Sequence, residues 1–387
     1  MRPTELHTMH IRPFKALYAN PERVNEDPSF FGTAKERYLD FLHAGYFNET
    51  DAPTLFLYKI QSAQRVYTGV IACTELRDYL NNDIKRHENT IRQDEEKQMR
   101  LTLERQAAVK PVLLTYPENE EIDAWIADYV ARHEVYFEID FPEDGQLHRI
   151  WAVDKKSDIL QIQKLFTVNV PHTYVADGHH RLSSTALLCE TTKSRAVHKM
   201  FSELFCAFFP SGQLDILEFN RIVELPVQQK LAAFVETLRT YCHLTPIPQA
   251  AKPRRKHQLT LCTPEGWYDL HWKDEILKEF KHEVAILDTM LLNEIVLKRM
   301  MGISNVSENS RISYVNAQKG LDAIEEKVRK AQHAVGFCLY PIRFEDFVAV
   351  SEADKVLPPK STWFEPRMKN GLIVKPYEKE NIRQTLE

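Results

Sequence analysis

The sequence contains no apolar run near the roughly 20 residues that a membrane-spanning helix requires. Residues 1–10 are polar, which predicts a chain without a secretory signal. The six cysteines are scattered and include no CxxC pair, so the pattern favours reduced core thiols and predicts no zinc site. With a net charge of −5, the chain offers no basic surface for nucleic acid. We therefore expect a cytoplasmic protein with no membrane or nucleic-acid partner.

Glycine is also scarce, at 11 of 387 residues, and neither a Walker A loop nor a GxGxxG fingerprint is present. The common nucleotide-binding folds therefore have no support in the sequence. Hydrophobic residues make up 43% of the chain, enough for a sizeable core, and the length suits two or three domains. Strand and helix patterns alternate irregularly, which predicts an α+β fold with mixed sheets and flanking helices. We predict three domains, at residues 1–115, 116–225 and 226–387.

The most informative segment follows an apolar strand at residues 174–176 and precedes a helical pattern at residues 182–188. Between them stand Asp177, Gly178, His179, His180 and Arg181. A helix N-terminus carries unpaired N–H groups and partial positive charge, and an arginine can hold phosphate oxygens through two nitrogens. A carboxylate at this point would repel phosphate unless it holds a metal or accepts a proton. The segment therefore indicates phosphate chemistry.

A structural role for the same residues is the alternative. Asp177 would then cap the helix, the two histidines would bond neighbouring carbonyls, and Arg181 would pair with a surface acid. Such a run of polar residues is rare in a buried turn, because each buried polar group needs a partner. Polar clusters at strand-to-helix turns therefore favour a functional role over a capping role.

A second segment, residues 84–90, lies where a polar loop meets a long, charged helix predicted over residues 86–108. Here Glu88 stands beside His87, and a carboxylate next to an imidazole can act as a general base for a hydroxyl. Thr90 can cap the helix, with Gln93 three residues beyond it as in a capping box. The alternative is that Glu88 is one of the acidic residues that helix N-termini favour.

A third segment, residues 356–364, contains two prolines followed by Lys360, Ser361 and Thr362. A lysine with flanking hydroxyls on a rigid loop suits a phosphate or a carboxylate. The alternative is a structural crossing with a packed aromatic pair at Trp363 and Phe364.

Between the first and third segments, residues 259–262 and 268–272 form a pattern that predicts a β-hairpin.

These segments together resemble the DUF1015 family of bacterial and archaeal proteins. The matching motifs are an Arg-Pro-Phe-Lys opening, an Ile-Lys-Arg-His-Glu-x-Thr segment, an Ala-Asp-Gly-His-His-Arg segment and a Pro-Pro-Lys-Ser-Thr segment. They stand at residues 12–15, 84–90, 176–181 and 358–362, in the family's order and over nearly the whole chain. The family's Pro-Pro-Tyr-Asp run has no recognisable counterpart here.

The Asp-Gly-His-His-Arg segment is also similar to the signature of ParB/sulfiredoxin-fold proteins, which implies such a core at residues 116–225. Sulfiredoxins carry a cysteine where this chain has His179, and ParB-type switches accompany DNA binding, which the acidic charge disfavours. Free-serine kinases of this fold are the most similar branch. That resemblance implies ATP or ADP with Mg²⁺ as cofactors, and Glu88 is our candidate for the branch's catalytic base.

The resulting hypothesis is a nucleotide-dependent phosphotransferase that acts on a small hydroxyl metabolite, with serine or phosphoserine as the favoured substrate and the direction open. Glu88, Asp177 and His180 are its expected catalytic residues. The phosphates are expected to bind Gly178, His179, Arg181, Lys360, Ser361 and Thr362, with His87 and Thr90 as further candidates.

Two other functions stay open. A nucleotide-binding sensing module would use the same phosphate site without Glu88. A metal-dependent phosphatase would use Asp177, His179 and His180 as ligands, but adjacent histidines point in different directions and suit one ion poorly. No metal-ligand set is therefore predicted, and the oligomeric state is open.

Overall fold

The computed structural model describes residues 8–27, 29–192, 194–306, 308–331 and 333–378. The chain divides into two compact units, the first formed by Met1–Asp215 with Pro366–Glu387 and the second by Ile216–Glu365. Both units mix helices with β-sheets, so the predicted α+β class is confirmed. The predicted division into three parts stays a prediction. Strands from both sides of its first boundary, at residue 115, share one sheet.

The first unit contains most of the strands. They are β1 (Leu17–Ala19), β2 (Phe47–Glu49), β3 (Leu55–Ser62), β4 (Val66–Glu75), β5 (Ile84–Lys85), β6 (Ala107–Ala108), β7 (Val112–Tyr116), β8 (Phe137–Phe141), β9 (Gln146–Val153), β10 (Thr173–Asp177) and β11 (Glu203–Pro210). Its helices are α1 (Pro21–Glu26), α2 (Phe30–Thr33), α3 (Tyr38–His43), α4 (Leu76–Leu80), α5 (Arg92–Arg105), α6 (Glu120–Arg132), α7 (Lys156–Asn169), α8 (His179–Thr191) and α9 (Arg195–Phe201).

Eight of these strands form one mixed sheet in the order β5-β10-β7-β11-β4-β3-β9-β8. Most residues of β3 and β4 are buried on both faces of the sheet. The reason is that apolar side chains pack on both faces, so neither face is left open to water. At the β5 end of the sheet, β10 runs parallel to β5 and antiparallel to β7. This end of the sheet carries two of the three predicted motifs.

The centre of the sheet requires a glycine. A Cβ atom at Gly69 of β4 would lie 2.5 Å from the backbone oxygen of Phe208 and 2.7 Å from the ring of Phe209, both in β11. Because that contact is shorter than van der Waals distance, only glycine lets β4 and β11 approach as they do.

The returning C-terminal segment supplies β20 (Ile373–Pro376), which completes a four-stranded sheet in the order β2-β1-β20-β6. The buried ammonium of Lys375 in β20 contacts the Glu203 carboxylate at 3.2 Å. This strand secures residues 366–378 to the first unit.

The second unit contains β12 (Asp215–Leu217), which begins on the last residue of the first unit, and β13 (Phe219–Glu224), β14 (Cys242–Ile247), β15 (Gln258–Thr263), β16 (Gly266–Trp272), β17 (Ile312–Asn316), β18 (Ala334–Cys338) and β19 (Trp363–Glu365). Its α-helices are α10 (Leu231–Leu238), α11 (Asp274–Glu279), α12 (Asp288–Leu291), α13 (Asp322–Ala331) and α14 (Phe344–Glu352). Short 3₁₀ helices span Ser211–Gln213 of the first unit and Ala317–Lys319 of the second, and a π-helix spans Leu292–Met300.

Six strands of the second unit form an antiparallel sheet in the order β14-β16-β15-β18-β13-β17. The hairpin predicted at residues 259–262 and 268–272 is confirmed by β15 and β16. A further pair joins β12 to β19.

One predicted boundary was wrong. The helix predicted over residues 86–108 begins only at Arg92, after β5, and ends at Arg105, before Gln106 adopts a left-handed conformation. Ile84 and Lys85 pair with β10 just before residues 86–91, and at the end of this stretch Ile91 is extended and its N–H donates to His180 Nε2 instead of entering the helix. Long-range contacts on both sides thus compete with local helix propensity. Among the described residues, the helices include none that combines the length and apolar character of a membrane span.

Candidate functional site

The site begins where β10 ends. A β-bulge between Val175 and Asp177 shifts the register of β10 against β7, so that Asp177 stands opposite Leu113. Bulges redirect side chains beside functional sites, and this one turns the end of β10 out of regular pairing. The residue that follows, Gly178, has φ of +107° and precedes the first turn of α8. This left-handed backbone conformation favours glycine.

Three of the five motif residues, His179, His180 and Arg181, lie in the first turn of α8. No side chain among the described residues caps the helix at Gly178, so the proposed capping role for Asp177 is not observed. A Cβ atom at Gly178 would lie 2.5 Å from Arg181 Nη2, because that guanidinium folds back across the turn. The glycine therefore provides both the turn and the space for Arg181.

Asp177 is surrounded by three cations. Arg181 Nη2 donates to its Oδ2 at 2.8 Å, Arg367 Nη1 donates to its Oδ1 at 3.2 Å, and Lys110 Nζ lies 3.8 Å from Oδ2. Burial opposes ionisation of the carboxyl, but Arg181, Lys110 and Arg367 outweigh it and hold the pKa of Asp177 well below its usual value. One negative charge facing three positive charges leaves a local excess of positive charge, which attracts an anion.

Sequence reasoning missed Lys110 and Arg367. Lys110 precedes β7 and reaches Asp177 because β7 pairs with β10, whereas Arg367 belongs to the segment that returns from the second unit. No local motif marks either residue. Burial, followed by the nearby Arg181, lowers the pKa of Lys110 to about 8, although Asp177 partly offsets both effects.

A cleft of about 270 Å³ opens beside these cations. Among the described residues that line it there is no carboxylate. Its polar lining includes Lys35, Arg105, Lys110, Arg181 and Thr185. A concave surface with four basic groups is suited to an anionic ligand of several charges.

The second motif meets the first at His179. The rings of His87 and His179 lie edge to face with their centroids 4.4 Å apart, and Glu88 Oε2 lies 3.6 Å from His179 Nδ1. Both histidines are buried, at 2% and 6% exposure, whereas the Glu88 side chain is 48% exposed. The structure therefore places a solvent-accessible carboxylate against a buried imidazole at the N-terminus of α8.

Burial sets the protonation of these histidines. It lowers the pKa of His179 to about 4, with the Asp177 charge opposing the shift. It also lowers the pKa of His87 well below its usual value, with His179 adding to that shift and a hydrogen bond to the Val175 backbone opposing it. Both rings are therefore neutral near pH 7.

His180 lies at the rim of the site. Its Nε2 accepts a hydrogen bond from the Ile91 backbone N–H at 3.3 Å and lies 3.7 Å from Asp94 Oδ2. Thr90 does not cap α5 as predicted, because the N-cap is Ile91, and its hydroxyl instead donates to Glu95 Oε1. His180 thus connects the start of α8 to the N-cap of α5, whereas the Thr90 contact stays within the start of α5.

The third motif lies in the second unit. Lys360 has φ of +53°, and its ammonium lies 5.7 Å from the centre of the Phe219 ring. The buried hydroxyl of Ser361 donates to the Pro358 carbonyl, and Thr362 is half-buried. Arg221, fully buried, donates to the Pro359 carbonyl at 3.3 Å and holds this loop. The convergence of this motif with the other two stays a prediction.

Among the described residues, the structure brings together one set of potential metal ligands that the sequence did not predict. Ligand atoms of His87, Glu88 and His179 all lie within 4.8 Å of one another. Asp177 and His180, proposed with His179 as the ligands of a metal-dependent phosphatase, are not part of this group. Two nitrogen donors and one carboxylate do not fit Mg²⁺, which binds oxygen ligands.

No curated protein matches this chain. Solved structures resemble it only distantly. A C-terminally truncated SbnI from Staphylococcus aureus is 14% identical with a TM-score of 0.43, over 81% of this chain and 89% of that one. A free serine kinase mutant in complex with ADP is 14% identical with a TM-score of 0.39, over 81% and 93%. A conserved hypothetical protein from Pyrococcus furiosus is 12% identical with a TM-score of 0.36, over 81% and 97%. Likeness at this level carries no inference about function.

A family model, described as a protein of unknown function (DUF1015), matches residues 11–290. The match includes three of the four motifs that suggested the family, at residues 12–15, 84–90 and 176–181. Because it spans well over half of the 387 residues, this chain belongs to the DUF1015 family.

Proposed function

We propose that this protein is a nucleotide-dependent phosphotransferase that acts on a small hydroxyl metabolite. The observation that carries the proposal is the contact of Glu88 with His179 at the N-terminus of α8. It joins a candidate base from one motif to the candidate phosphate-binding helix end of another. Phosphoryl transfer needs mainly positioning and positive charge, with a base to accept the hydroxyl proton.

The positive charge comes from the group around Asp177. Arg181, Lys110 and Arg367 all contact the Asp177 carboxylate, so three positive charges are gathered around one negative charge where an incoming phosphate would bind. The N–H groups of the first turn of α8 add donors and partial positive charge. In this assignment Asp177 holds the three cations in place, and the cleft beside them takes the phosphates of ATP or ADP.

The base is Glu88. Its carboxylate is half-exposed, so a substrate hydroxyl can reach it, and the neutral ring of His179 lies against it. Glu88 takes the hydroxyl proton as the hydroxyl oxygen forms a bond to the terminal phosphorus of the donor. The bond from that phosphorus to the bridging oxygen breaks, and ADP leaves if ATP is the donor, or AMP if ADP is the donor. His180, at the rim of the site, keeps its proposed place among the catalytic residues.

Serine is the favoured acceptor, on the similarity of the Asp-Gly-His-His-Arg segment to free-serine kinases. The reverse direction, removal of phosphate from phosphoserine, uses the same groups with the proton returned by Glu88. The contribution of Lys360, Ser361 and Thr362 to phosphate binding rests on the sequence alone.

The proposal is tested by ³¹P NMR of the full-length protein, with and without Mg²⁺. ATP or ADP is paired with serine and with phosphoserine. We expect a new phosphoserine signal in one direction, or a new nucleotide or inorganic phosphate signal in the other. Glu88→Gln should lower turnover by about 10²–10⁴-fold while nucleotide binding persists. The matched control is Glu96→Gln, because Glu96 is an exposed residue of α5.

The alternative is a nucleotide-sensing module without catalysis. It is favoured by one observation, that the cationic cleft is lined by residues other than Glu88 and is complete without it. In that case the nucleotide signals broaden on binding, no product signal forms with any pairing, and Glu88→Gln changes nothing.

A further inference from the structure

The buried histidine pair and Glu88 form a compact group of three potential metal ligands. His87 and His179 are almost fully buried, and their rings lie edge to face. The Glu88 carboxylate lies 3.6 Å from His179 Nδ1. We infer that His87, Glu88 and His179 form a site for a divalent transition-metal ion, of the Zn²⁺ or Co²⁺ kind. This site goes beyond the proposed function and does not depend on it.

The donor set selects the class of ion. Neutral imidazoles are ligands for zinc, cobalt, iron and copper, and a carboxylate completes sets of this kind, whereas magnesium and calcium prefer oxygen donors. Ligand atoms within 4.8 Å of one another can converge on a single ion with small side-chain adjustments. Three protein ligands leave a tetrahedral ion one open position, as in catalytic zinc sites, and the exposed side of Glu88 gives access to it.

The surroundings of the rings support the same assignment. His87 is hydrogen-bonded to the Val175 backbone, and a metal-binding histidine typically holds its second nitrogen in this way, which fixes the orientation of the ring. The His179 nitrogen that lies 3.6 Å from Glu88 Oε2 is Nδ1, so Nδ1 is the nitrogen placed to bind an ion together with that carboxylate.

Positive charges near the site oppose binding of a cation. Arg181, Lys110 and Arg367 are gathered around Asp177, where Lys110 approaches from the β7 side of β10. His87 follows β5, which lies on the other side of β10. His180, Arg181 and Arg86 all act on His179 and oppose a further positive charge there, whereas Asp177 favours one. The negative charge of Glu88 is therefore essential to the site.

The ion and the proposed base compete for one carboxylate. When Glu88 binds the ion, its oxygen lone pairs are no longer available to take a substrate proton. If the phosphotransferase function holds, Zn²⁺ therefore inhibits it, and the inhibition is relieved by a chelator. Binding of the metal itself needs neither nucleotide nor substrate, so failure of this site and failure of the proposed function are distinguished.

The test uses the full-length protein, stripped with a chelator and desalted, titrated with Co²⁺ alone. We expect one Co²⁺ per chain, with the visible absorption of a four- or five-coordinate ion and no sulfur-to-cobalt charge-transfer band, since all six cysteines are buried elsewhere in the fold. Isothermal titration with Zn²⁺ should give the same stoichiometry, and Mg²⁺ should not compete.

Variants assign the ligands. Glu88→Gln keeps the shape of the side chain and should weaken Co²⁺ binding at least tenfold, as should His179→Gln, whereas His180→Gln and Glu96→Gln should bind as the unsubstituted protein does. If His179→Gln does not fold, Glu88→Gln still decides, because Glu88 is half-exposed. Absence of Co²⁺ binding, or unchanged affinity in a folded Glu88→Gln protein, would overturn the inference.

Discussion

Glu88 Oε2 lies 3.6 Å from His179 Nδ1, and this contact brings two separate sequence motifs to one place. It follows from the parallel pairing of β5 with β10, in which Ile84 stands opposite Thr173. Two parallel strands leave a sheet at the same edge, so the residues that follow them emerge side by side. The strand pairing thereby places a carboxylate at the beginning of α8.

Arg367, which no motif marks, is expected to matter for nucleotide binding. Arg367→Gln removes one of the three cations on Asp177, and hydrogen bonds to charged groups are worth about 1.5–3 kcal/mol. We expect a loss of nucleotide affinity of about tenfold or more, measured by equilibrium binding of ATP or ADP. Lys369→Gln is the control, because Lys369 pairs with Asp144 instead. Equal affinities of the two variants would remove Arg367 from the site.

Gly178→Ala should separate stability from ligand binding. Its φ of +107° strains any other residue, and the new Cβ would displace the Arg181 guanidinium. We expect a loss of about 1–3 kcal/mol in the free energy of unfolding by urea, together with weaker nucleotide binding. Gly145→Ala is the control, since Gly145 has φ of +61° and no atom within 4 Å of its added Cβ. Gly145→Ala should lose stability alone; nucleotide affinity that is the same in both variants contradicts the prediction.

Nucleotide binding should weaken as the pH rises through about 8. Burial lowers the pKa of Lys110 to about 8, so the ammonium loses its charge above that value and no longer attracts phosphate. The phosphates are already fully ionised there and do not compensate. Asp177, Arg181, Arg367 and Lys35 are the charged neighbours, and the carboxylate among them stays ionised throughout this range. Binding isotherms from pH 6.5 to pH 9.5, a window about one and a half pH units either side of that value, measure the effect.

Lys110→Arg provides the control, because arginine stays charged over the whole range and should flatten the profile. The ligand-free protein should show the opposite trend in stability. Between about pH 8 and the ordinary lysine value of 10.5, the unfolded chain binds the Lys110 proton that the folded chain has released. The contribution of Lys110 to the free energy of unfolding therefore rises with pH over that interval. A Lys110→Arg profile identical to that of the unsubstituted protein would count against this assignment.

Gly69→Ala should destabilise the first unit without any role in ligand binding. The added Cβ would lie 2.5 Å from the Phe208 carbonyl oxygen of the neighbouring strand, and a backbone atom in a central strand cannot move away cheaply. We expect a loss of about 1–3 kcal/mol in urea unfolding. Gly32→Ala, where the added Cβ meets no atom within 4 Å, should be close to neutral or slightly stabilising. Comparable midpoints for the two variants would show that the sheet adjusts.

Several elements were predictable because their signals are local. The strand at residues 174–176 and the helix after it follow from an apolar run, a glycine and a helical pattern, and they appear as β10 and α8. The hairpin of β15 and β16 likewise depends on two short alternating runs around a turn. Local patterns failed at residues 86–91, which lie between the pairing of β5 with β10 and the bond from the extended Ile91 N–H to His180 Nε2.

The amino-acid sequence by itself determined which chemical groups are available: the Asp-Gly-His-His-Arg turn, the His-Glu pair and the absence of the common nucleotide-binding loops. Only the tertiary structure decided that Lys110 and Arg367 join Asp177, and that Glu88 stands beside His179 rather than on an exposed helix start. The physical reason is that these contacts arise from strand pairing and chain return between distant segments. Such contacts leave no periodic signature near the residues concerned, whereas a turn or an amphipathic helix is encoded by its own neighbours.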